Sequence, residues 1–180
     1  MIKAIAFDLI GVLLRVKDVS FTPLEFKLSE AFDYKIDGEL YWDWAVKQTG
    51  KNLPETKNIC WQTINKIYAI KERGLFVKIP KLKFVIASNH LSMIKDWLKN
   101  KNWYDQFYCW AISEDVKCQK PDPRFYQILI SKLREKPEET LFIDDKPENI
   151  KGAGEAGFRV LHYTGERLLS REISNYINEG

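Results

Sequence analysis

Five short apolar segments, bounded by charged residues or turn formers, constrain the fold of this chain more than any other feature. Helical patterns lie between the last four segments and after the final one. Strands that alternate with helices in this way form a parallel sheet with helices on both faces. We therefore expect an α/β fold of three layers with a central parallel sheet. The predicted strands cover residues 2–7, 83–88, 107–112, 140–144 and 158–163, and the helices cover roughly 91–101, 123–135, 147–156 and 165–178.

A long stretch after the first predicted strand interrupts this alternation. It contains no clear strand, is rich in aromatic residues and shows helical spacing in three segments. Pro54 suits the first turn of the third segment, and Gly74 suits its end. We therefore predict a helical insertion over residues 16–79 and a single core formed by residues 1–15 and 80–180. The predicted helices of the insertion cover residues 21–34, 38–50 and 53–74.

The composition limits the classes of protein to which the chain can belong. Its 180 residues leave room for one hydrophobic core and an appendage. A net charge of +3 is far below that of a dedicated nucleic-acid binder, so we expect no nucleic-acid partner. No apolar run approaches the ~18 residues of a membrane span, and the N-terminus enters a strand pattern without a signal peptide. We therefore expect a cytoplasmic protein without a membrane partner.

The cysteines and histidines show no metal-binding pattern. Cys60, Cys109 and Cys118 are odd in number and widely spaced, with no CxxC pair. They are typical of reduced residues in a cytosolic protein and argue against a zinc site. We interpret His90 and His162 as structural residues or weak substrate contacts.

Three carboxylates stand at the ends of two predicted strands. Asp8 ends the first apolar run, and Asp144 and Asp145 end the fourth. Ligands bind at the carboxyl ends of strands in open parallel sheets, and a charge there is expensive to bury without a partner. The like charges of Asp144 and Asp145 are costly together unless a cation such as Mg²⁺ lies between them and Asp8. The pattern predicts a nucleophile or a metal ligand at Asp8, with Asn149 one helical turn beyond Asp145 to steady the acidic pair.

Two further groups at the same edge of the sheet favour an anionic ligand. Ser88 and Asn89 follow the second predicted strand, and Ser88 offers a hydroxyl just before a helix N-terminus whose free amides attract anions. Lys120 supplies a cation. Pro121 biases Lys120 towards an extended conformation, and Pro123 opens the next helix.

Each of these side chains also has an ordinary structural explanation. The acids can cap or form solvated turns, Ser88 and Asn89 suit a loop, and Lys120 suits a surface position before a helix. The aromatic residues of the insertion are expected to be mostly core, with one or two between Tyr41 and Trp44 lining a pocket.

The chain resembles the haloacid dehalogenase (HAD) superfamily of hydrolases in four pieces that occur in the family's order. These are FDLIGVLL, FVIASN, KPDPRFY and FIDDKPENIKGAGEAGF. The first two are weakly specific alone, whereas the last two together are strongly specific. The resemblance covers roughly residues 1–15 and 80–165. It implies a three-layer, Rossmann-like core with a central parallel sheet and a small α-helical cap inserted after the first strand.

The resemblance also implies roles for individual residues. In the family, the residue matching Asp8 attacks phosphorus to form an aspartyl-phosphate, and those matching Ser88 and Lys120 hold the phosphoryl group. The residue matching Asp145 binds Mg²⁺ directly, as does the backbone carbonyl at the position of Ile10. We therefore expect Mg²⁺ as cofactor, catalytic roles for Asp8, Ser88 and Lys120, substrate contacts from Ser88, Asn89 and Lys120, and metal contacts from Asp8, Ile10, Asp144 and Asp145.

Position 10 departs from the family's pattern. The resembling phosphatases carry a second aspartate there, which protonates the leaving alcohol and later activates the hydrolytic water. Ile10 can do neither, and general acid–base help is typically worth ~10²–10⁴-fold. Its backbone carbonyl is unaffected, so the metal site need not be lost.

Three functions are therefore compatible with the sequence. We favour a Mg²⁺-dependent phosphatase that acts on a small phosphorylated substrate through Asp8. The first alternative is a non-catalytic or regulatory HAD-fold protein that binds a phosphorylated ligand. The second is a 2-haloacid dehalogenase, in which position 10 is not an acid either and Arg15 holds the substrate carboxylate. Dehalogenases lack the paired acids that this chain has at Asp144 and Asp145, which argues against the second alternative.

Overall fold

The central element of the structure is a parallel sheet. The computed structural model describes residues 1–33 and 38–179. Its strands are β1 (Ala4–Phe7), β2 (Leu14–Val16), β3 (Tyr68–Ile70), β4 (Lys83–Ser88), β5 (Cys109–Ile112), β6 (Thr140–Asp144) and β7 (Arg159–His162). Five of them pair in parallel in the order β5–β4–β1–β6–β7. The predicted α/β fold with a central parallel sheet is confirmed.

Strand β1 shows why the sheet is covered on both faces. All four of its residues are fully buried, and successive side chains of a strand point to opposite faces. Ile5 and Phe7 belong to the hydrophobic cluster on one face, whereas Ala4 and Ala6 belong to the cluster on the other. Strand β1 is therefore buried at the centre of the sheet, and the residue that follows it, Asp8, lies at the sheet's carboxyl edge.

Helices form the outer layers. Helices α7 and α8 contribute Phe125, Leu129 and Ala153 to the cluster of Ala4 and Ala6. On the other face, α5 and α9 contribute Trp97 and Ile173. The helices are α1 (Pro23–Ser29), α2 (Gly38–Thr49), α3 (Leu53–Ile67), α4 (Leu75–Lys78), α5 (Ile94–Asn100), α6 (Ser113–Val116), α7 (Pro123–Leu133), α8 (Pro147–Glu155) and α9 (Leu169–Glu179).

The helices of the insertion pack on one another and on the sheet. Helices α1, α2 and α3 are in mutual contact. Leu28 of α1, Tyr41 of α2 and Ile64 of α3 are buried in the same cluster as Ile5 and Phe7 of β1. Because the insertion shares this cluster with the sheet, its description as a separate domain stays a prediction.

Strand β3 corrects the prediction for the third helix of the insertion. The spacing predicts a helix as far as Gly74, but α3 ends at Ile67 and Tyr68 has an extended backbone. Strand β3 then pairs with β2 in antiparallel fashion, with Tyr68 opposite Val16. Aromatic and β-branched residues favour strands, and pairing with β2 overrides the helical spacing of this short segment. The expectation that the insertion contains no strand is therefore wrong.

The other element boundaries differ from prediction by a few residues. Strands β4 and β6 have the predicted bounds, and α3 begins with Pro54 in its first turn. Helix α5 begins at Ile94 instead of residue 91, so that a turn separates it from Ser88. The first helix of the insertion ends at Ser29, and residue 34, its predicted end, lies outside the described residues. Among the described helices, none has the length and hydropathy needed to cross a membrane.

The contact between α7 and α8 generates a stability prediction. A Cβ atom at Gly152 would lie 2.8 Å from Cε2 and 2.9 Å from the hydroxyl of the fully buried Tyr126. We expect Gly152→Ala to lower the free energy of unfolding by about 1–3 kcal/mol, because the added methyl group forces the helices apart. Gly154→Ala in the same helix meets no atom within 4 Å and is expected to raise it by about 0.4–1 kcal/mol. Urea unfolding measures both changes, and shifts of equal sign and size would contradict this account of the packing.

Candidate active site

Three acidic residues meet at the carboxyl edge of the sheet. The backbone amide of Asp8 donates to the carbonyl of Ile143 over 2.9 Å, which ties the end of β1 to β6. Asp144 is the last residue of β6, and Asp145 follows it. The position of β1 beside β6 therefore brings together carboxylates that are more than 130 residues apart in the chain.

Lys120 lies between two of these acids. Its ammonium group is 2.8 Å from Oδ1 of Asp8 and 2.5 Å from Oδ2 of Asp144. Asn89 holds the Lys120 backbone from both sides, since its Nδ2 donates to the Lys120 carbonyl over 2.9 Å and its Oδ1 accepts from the Lys120 amide over 2.8 Å. Asn89, a predicted substrate contact, thus positions Lys120, and it also lines the adjacent cavity.

Burial and the neighbouring opposite charges shift the pKa values of Asp8 and Lys120 in opposite directions. Burial raises the pKa of Asp8 to about 6, although the ammonium of Lys120 lowers it. Burial also raises the pKa of Asp145, and the charge of Asp144 adds to the rise. Burial lowers the pKa of Lys120, but Asp8 and Asp144 raise it by more, so that the ammonium form is retained. One lysine does not balance three carboxylates, and the cluster favours an additional cation.

The two adjacent acids have different surroundings. Asp144 is fully buried and accepts hydrogen bonds from Asn149 Nδ2, at 3.0 and 3.1 Å, and from the Lys146 amide at 2.9 Å, besides Lys120. Oδ1 of Asp145 is also buried, yet it has no hydrogen-bond partner within the described part of the chain. Asp145 therefore has a carboxylate oxygen available for a ligand.

The donor set suits a hard divalent cation. Asp8, Asp144 and Asp145 each offer a carboxylate oxygen, and these atoms lie within 4.8 Å of one another. Mg²⁺ prefers oxygen ligands and is commonly held by one or two carboxylates. The buried, unpartnered oxygen of Asp145 fits the same requirement.

Gly11 makes room for Asp145. Its φ of +94° favours glycine, and a Cβ atom at this position would lie 2.2 Å from Oδ2 of Asp145. The carbonyl of Gly11 accepts a hydrogen bond from Lys71 Nζ over 2.6 Å. The turn after β1 thus approaches the acidic cluster closely, because residue 11 has no side chain.

A cavity of about 380 Å³ opens above the cluster. Asp8, Ile10, Ser88, Lys120 and Asp145 all line it, so the structure brings these predicted site residues together. The hydroxyl oxygen of Ser88 is buried and lacks a hydrogen-bond partner among the described residues. The base of the cavity therefore carries a lysine, a free hydroxyl and carboxylates, which is suitable for holding a phosphoryl group.

Residues of the insertion also line the cavity, and these were not predicted. Phe21, Phe26 and Asp33 line the cavity. The residues from Tyr41 to Trp44, one or two of which were expected to line a pocket, are not among the residues that line this cavity. Helical spacing identifies apolar faces, but it does not tell which of them borders a cavity, so the sequence held no signal for Phe21 or Phe26.

His90 is a structural residue at the back of the site. It is fully buried, and its Nδ1 donates to the carbonyl of Leu91 over 3.0 Å. Nε2 is then the acceptor for the hydroxyl of Tyr68, also at 3.0 Å, and Tyr68 lines the cavity. Burial lowers the pKa of His90 to about 4. His162, by contrast, is exposed.

The family follows from a comparison with known proteins. The model of the haloacid dehalogenase-like hydrolases matches residues 55–163 of this chain. The chain belongs to this family. The matched range includes Ser88, Lys120 and Asp145 but begins after Asp8 and Ile10.

Curated relatives cover only part of the chain. Flavin mononucleotide hydrolase 1 of Arabidopsis thaliana is 32% identical over 84 residues, which are 47% of this chain and 33% of the relative. (S)-2-haloacid dehalogenase 1 of a Pseudomonas strain is 27% identical over 77 residues, 43% of this chain and 34% of the relative. The matches thus span about a third of these relatives' length.

A solved structure extends the similarity in fold to most of the chain. A HAD family enzyme of Bacteroides thetaiotaomicron, in complex with magnesium and inorganic phosphate, superimposes with a TM-score of 0.69. The match covers 94% of this chain and 98% of that one at 21% identity. At this identity, the similarity establishes the fold alone.

The environment of His90 predicts how stability depends on pH. Because the pKa of His90 is lower in the folded protein than the usual value near 6.5, folding disfavours its protonation. The neutral, buried imidazole therefore contributes fully to the free energy of unfolding above about pH 6.5. This contribution, about 3 kcal/mol in total, is lost as the pH falls from 6.5 towards 4. Urea unfolding across this range should show a steeper loss for the wild type than for His90→Gln.

The exposed His162 provides the matched control. His162→Gln should keep the pH dependence of the wild type. Equal slopes for the wild type and His90→Gln would contradict the assignment of a buried, neutral imidazole.

Proposed function

We propose that this HAD-family hydrolase is a Mg²⁺-dependent phosphatase that acts on a small phosphorylated substrate through an aspartyl-phosphate on Asp8. The observation that carries the proposal is the meeting of Asp8, Asp144 and Asp145 within 4.8 Å, with Lys120 bonded to two of them. The relative named as a flavin mononucleotide hydrolase and the fold neighbour crystallised with magnesium and phosphate are consistent with it.

In the first step, a carboxylate oxygen of Asp8 attacks phosphorus. The bond between phosphorus and the leaving oxygen breaks, and that oxygen takes its electron pair. The ammonium of Lys120 and the hydroxyl of Ser88 face the cavity where the transferred phosphoryl oxygens lie. In the second step, the oxygen of a water molecule attacks phosphorus, the bond between phosphorus and the Asp8 oxygen breaks with its electron pair returning to the carboxylate, and the proton of the water passes to solvent.

We assign the metal to Asp8, Asp145 and the backbone carbonyl of Ile10, with Asp144 beside them. Mg²⁺, when bound, supplies positive charge that offsets the charge of the phosphoryl group. Asp144 already accepts hydrogen bonds from Lys120, Asn149 and the Lys146 amide, so its main contribution is to orient the cluster around the metal.

Ile10 limits the leaving groups that this reaction can release. It lines the cavity beside Asp8 but has no proton to give. An alkoxide leaves poorly without a proton, whereas a carboxylate or an activated phenolate hardly needs one. We therefore propose acyl phosphates and activated aryl phosphates as the better substrates. Residues 16–79 act as the helical cap over residues 1–15 and 80–180.

A 2-haloacid dehalogenase is the second candidate, because curated relatives carry that name. Two observations disfavour it. The acidic cluster suits a metal that this reaction does not use, and Arg15 is exposed on β2 and does not line the cavity. Release of chloride from 2-chloropropionate above an Asp8→Asn blank would favour it. A HAD-fold protein that binds phosphorylated ligands without turnover is the remaining alternative.

Metal binding is the first prediction of this proposal. Calorimetry should detect Mg²⁺ binding to the wild type and a loss of at least about 10-fold in affinity for Asp145→Ala, since even the partners of metal ligands contribute about 10–100-fold. Glu155→Gln removes an exposed carboxylate of α8 outside the cavity and should change nothing. Equal Mg²⁺ affinity in the wild type and Asp145→Ala would refute the assignment.

Substrate preference is the second prediction. The wild type should hydrolyse nitrophenyl phosphate or an acyl phosphate measurably and sugar phosphates very slowly. Ile10→Asp should raise hydrolysis of the alkyl esters by about 10²-fold, the low end of the usual range for general acid–base help. Aspartyl-phosphate should also persist on the wild type, because its hydrolysis lacks a base.

Asp8→Asn is the blank for both substrate classes. If the wild type hydrolyses sugar phosphates as fast as nitrophenyl phosphate, another residue supplies the proton and this account of Ile10 fails. If neither substrate is hydrolysed faster than by the blank, the non-catalytic alternative is correct.

A further inference from the structure

The cavity is lined in part by apolar and aromatic residues of the insertion. Val16, Phe21, Phe26 and Ile67 line it, and Ile10 lies at its base. The rings of Phe21 and Phe26 meet edge to face, with centroids 6.1 Å apart, and Phe26 is 52% exposed. Aromatic surface of this kind suits the body of an aromatic or apolar leaving group, which would cover it from water.

A carboxylate with one unpartnered oxygen, Asp33, lines the same cavity. Oδ1 of Asp33 is buried but has no hydrogen-bond partner among the residues that the structure describes. Lys146 Nζ is 3.9 Å from the other oxygen, Oδ2, which is too far for a hydrogen bond. The Asp33 side chain as a whole is 37% exposed and lines the cavity, so its carboxylate is accessible and Oδ1 is available for a donor on a bound molecule.

Negative charge predominates on the described lining of the cavity. The ammonium of Lys120 is already bonded to Asp8 and to the buried Asp144. Lys146 is the cation nearest to Asp33 among the ion pairs of the described residues. A leaving group with its own negative charge would face like charges on the insertion side, which disfavours binding. The charged lining residues are Asp8, Glu30, Asp33, Lys120, Asp145 and Lys146.

We propose that the insertion side of the cavity selects monophosphate esters whose leaving group combines an aromatic body with a positively charged hydrogen-bond donor that binds Asp33. The aromatic body packs against Phe21 and Phe26, and the phosphoryl group lies at Asp8 and Lys120. This inference rests on the proposed phosphatase function, and it narrows the substrate class. It also agrees with Ile10, because a phenolate needs less protonation than an alkoxide.

A matched series of aryl phosphates tests the inference. The series comprises para-methylphenyl, para-(aminomethyl)phenyl and para-(carboxymethyl)phenyl phosphate, which are neutral, cationic and anionic beyond the phosphate. We expect kcat/KM of the wild type with Mg²⁺ to be at least about 10-fold higher for the cationic than for the anionic ester, the effect of one charge-assisted hydrogen bond. In Asp33→Asn this ratio should fall by about 10-fold, and because leaving-group acidity is the same for both enzymes, the comparison with the wild type isolates the contribution of Asp33.

Two further variants sharpen the test. Asp33→Glu keeps the negative charge and should keep most of the preference for the cationic ester. If Asp33→Asn loses this preference and Asp33→Glu retains it, the loss is due to the missing charge and not to misfolding. Asp43→Asn removes an exposed carboxylate of α2 that does not line the cavity, and all three rates should stay unchanged. An equal ratio in the wild type and Asp33→Asn, or a preference for the anionic ester, would overturn the inference.

Failure of the phosphatase proposal has a different signature. If no ester is hydrolysed faster by the wild type than by Asp8→Asn, the proposed turnover fails, and dissociation constants of the same three esters decide the selectivity by calorimetry. Tighter binding of the cationic ester that is lost in Asp33→Asn supports the role of Asp33. Equal binding of the cationic and anionic esters overturns it.

Discussion

The buried ammonium of Lys120, held between Asp8 and Asp144, is the interaction on which the arrangement of the site depends. Two carboxylates this close together in a buried place repel each other, and removing one member of such a group typically costs about 3–5 kcal/mol. The cation is kept in place through its backbone, because Asn89 at the end of β4 bonds both the amide and the carbonyl of Lys120. The carboxyl ends of β1, β4 and β6 are thereby fixed relative to one another.

The same network distributes different tasks between two neighbouring acids. The oxygens of Asp144 accept hydrogen bonds from Lys120, Asn149 and the Lys146 amide, so Asp144 stabilises the site from within. Asp145 lies next to the glycine at position 11 and retains an oxygen without a hydrogen-bond partner among the described residues. One short acidic sequence at the end of a strand therefore supplies both a structural anchor and an available ligand.

The parts of the fold that were predictable from the sequence depend on local pattern. The apolar runs of β4 and β6 and the acids after β1 and β6 are visible in the chain itself, and the parallel sheet brings their ends together. Strand β3 was not predictable, since Tyr68 continues the helical spacing of α3 and only pairing with β2 makes it extended. The cavity wall at Phe21 depends on how α1 packs, which no local pattern records.

The charges around position 10 explain why an isoleucine suits it, which the family resemblance alone does not explain. The described cavity lining already holds four carboxylates against two lysines. A further acid at position 10 would stand beside Asp8, whose pKa burial has raised, and would add to the like-charge repulsion. Isoleucine avoids this cost and continues the apolar wall of the insertion towards the reacting atoms. In the proposed phosphatase reaction, the loss of an acid–base group and the gain of apolar surface therefore act in the same direction, towards substrates whose leaving group is aromatic and departs without a donated proton.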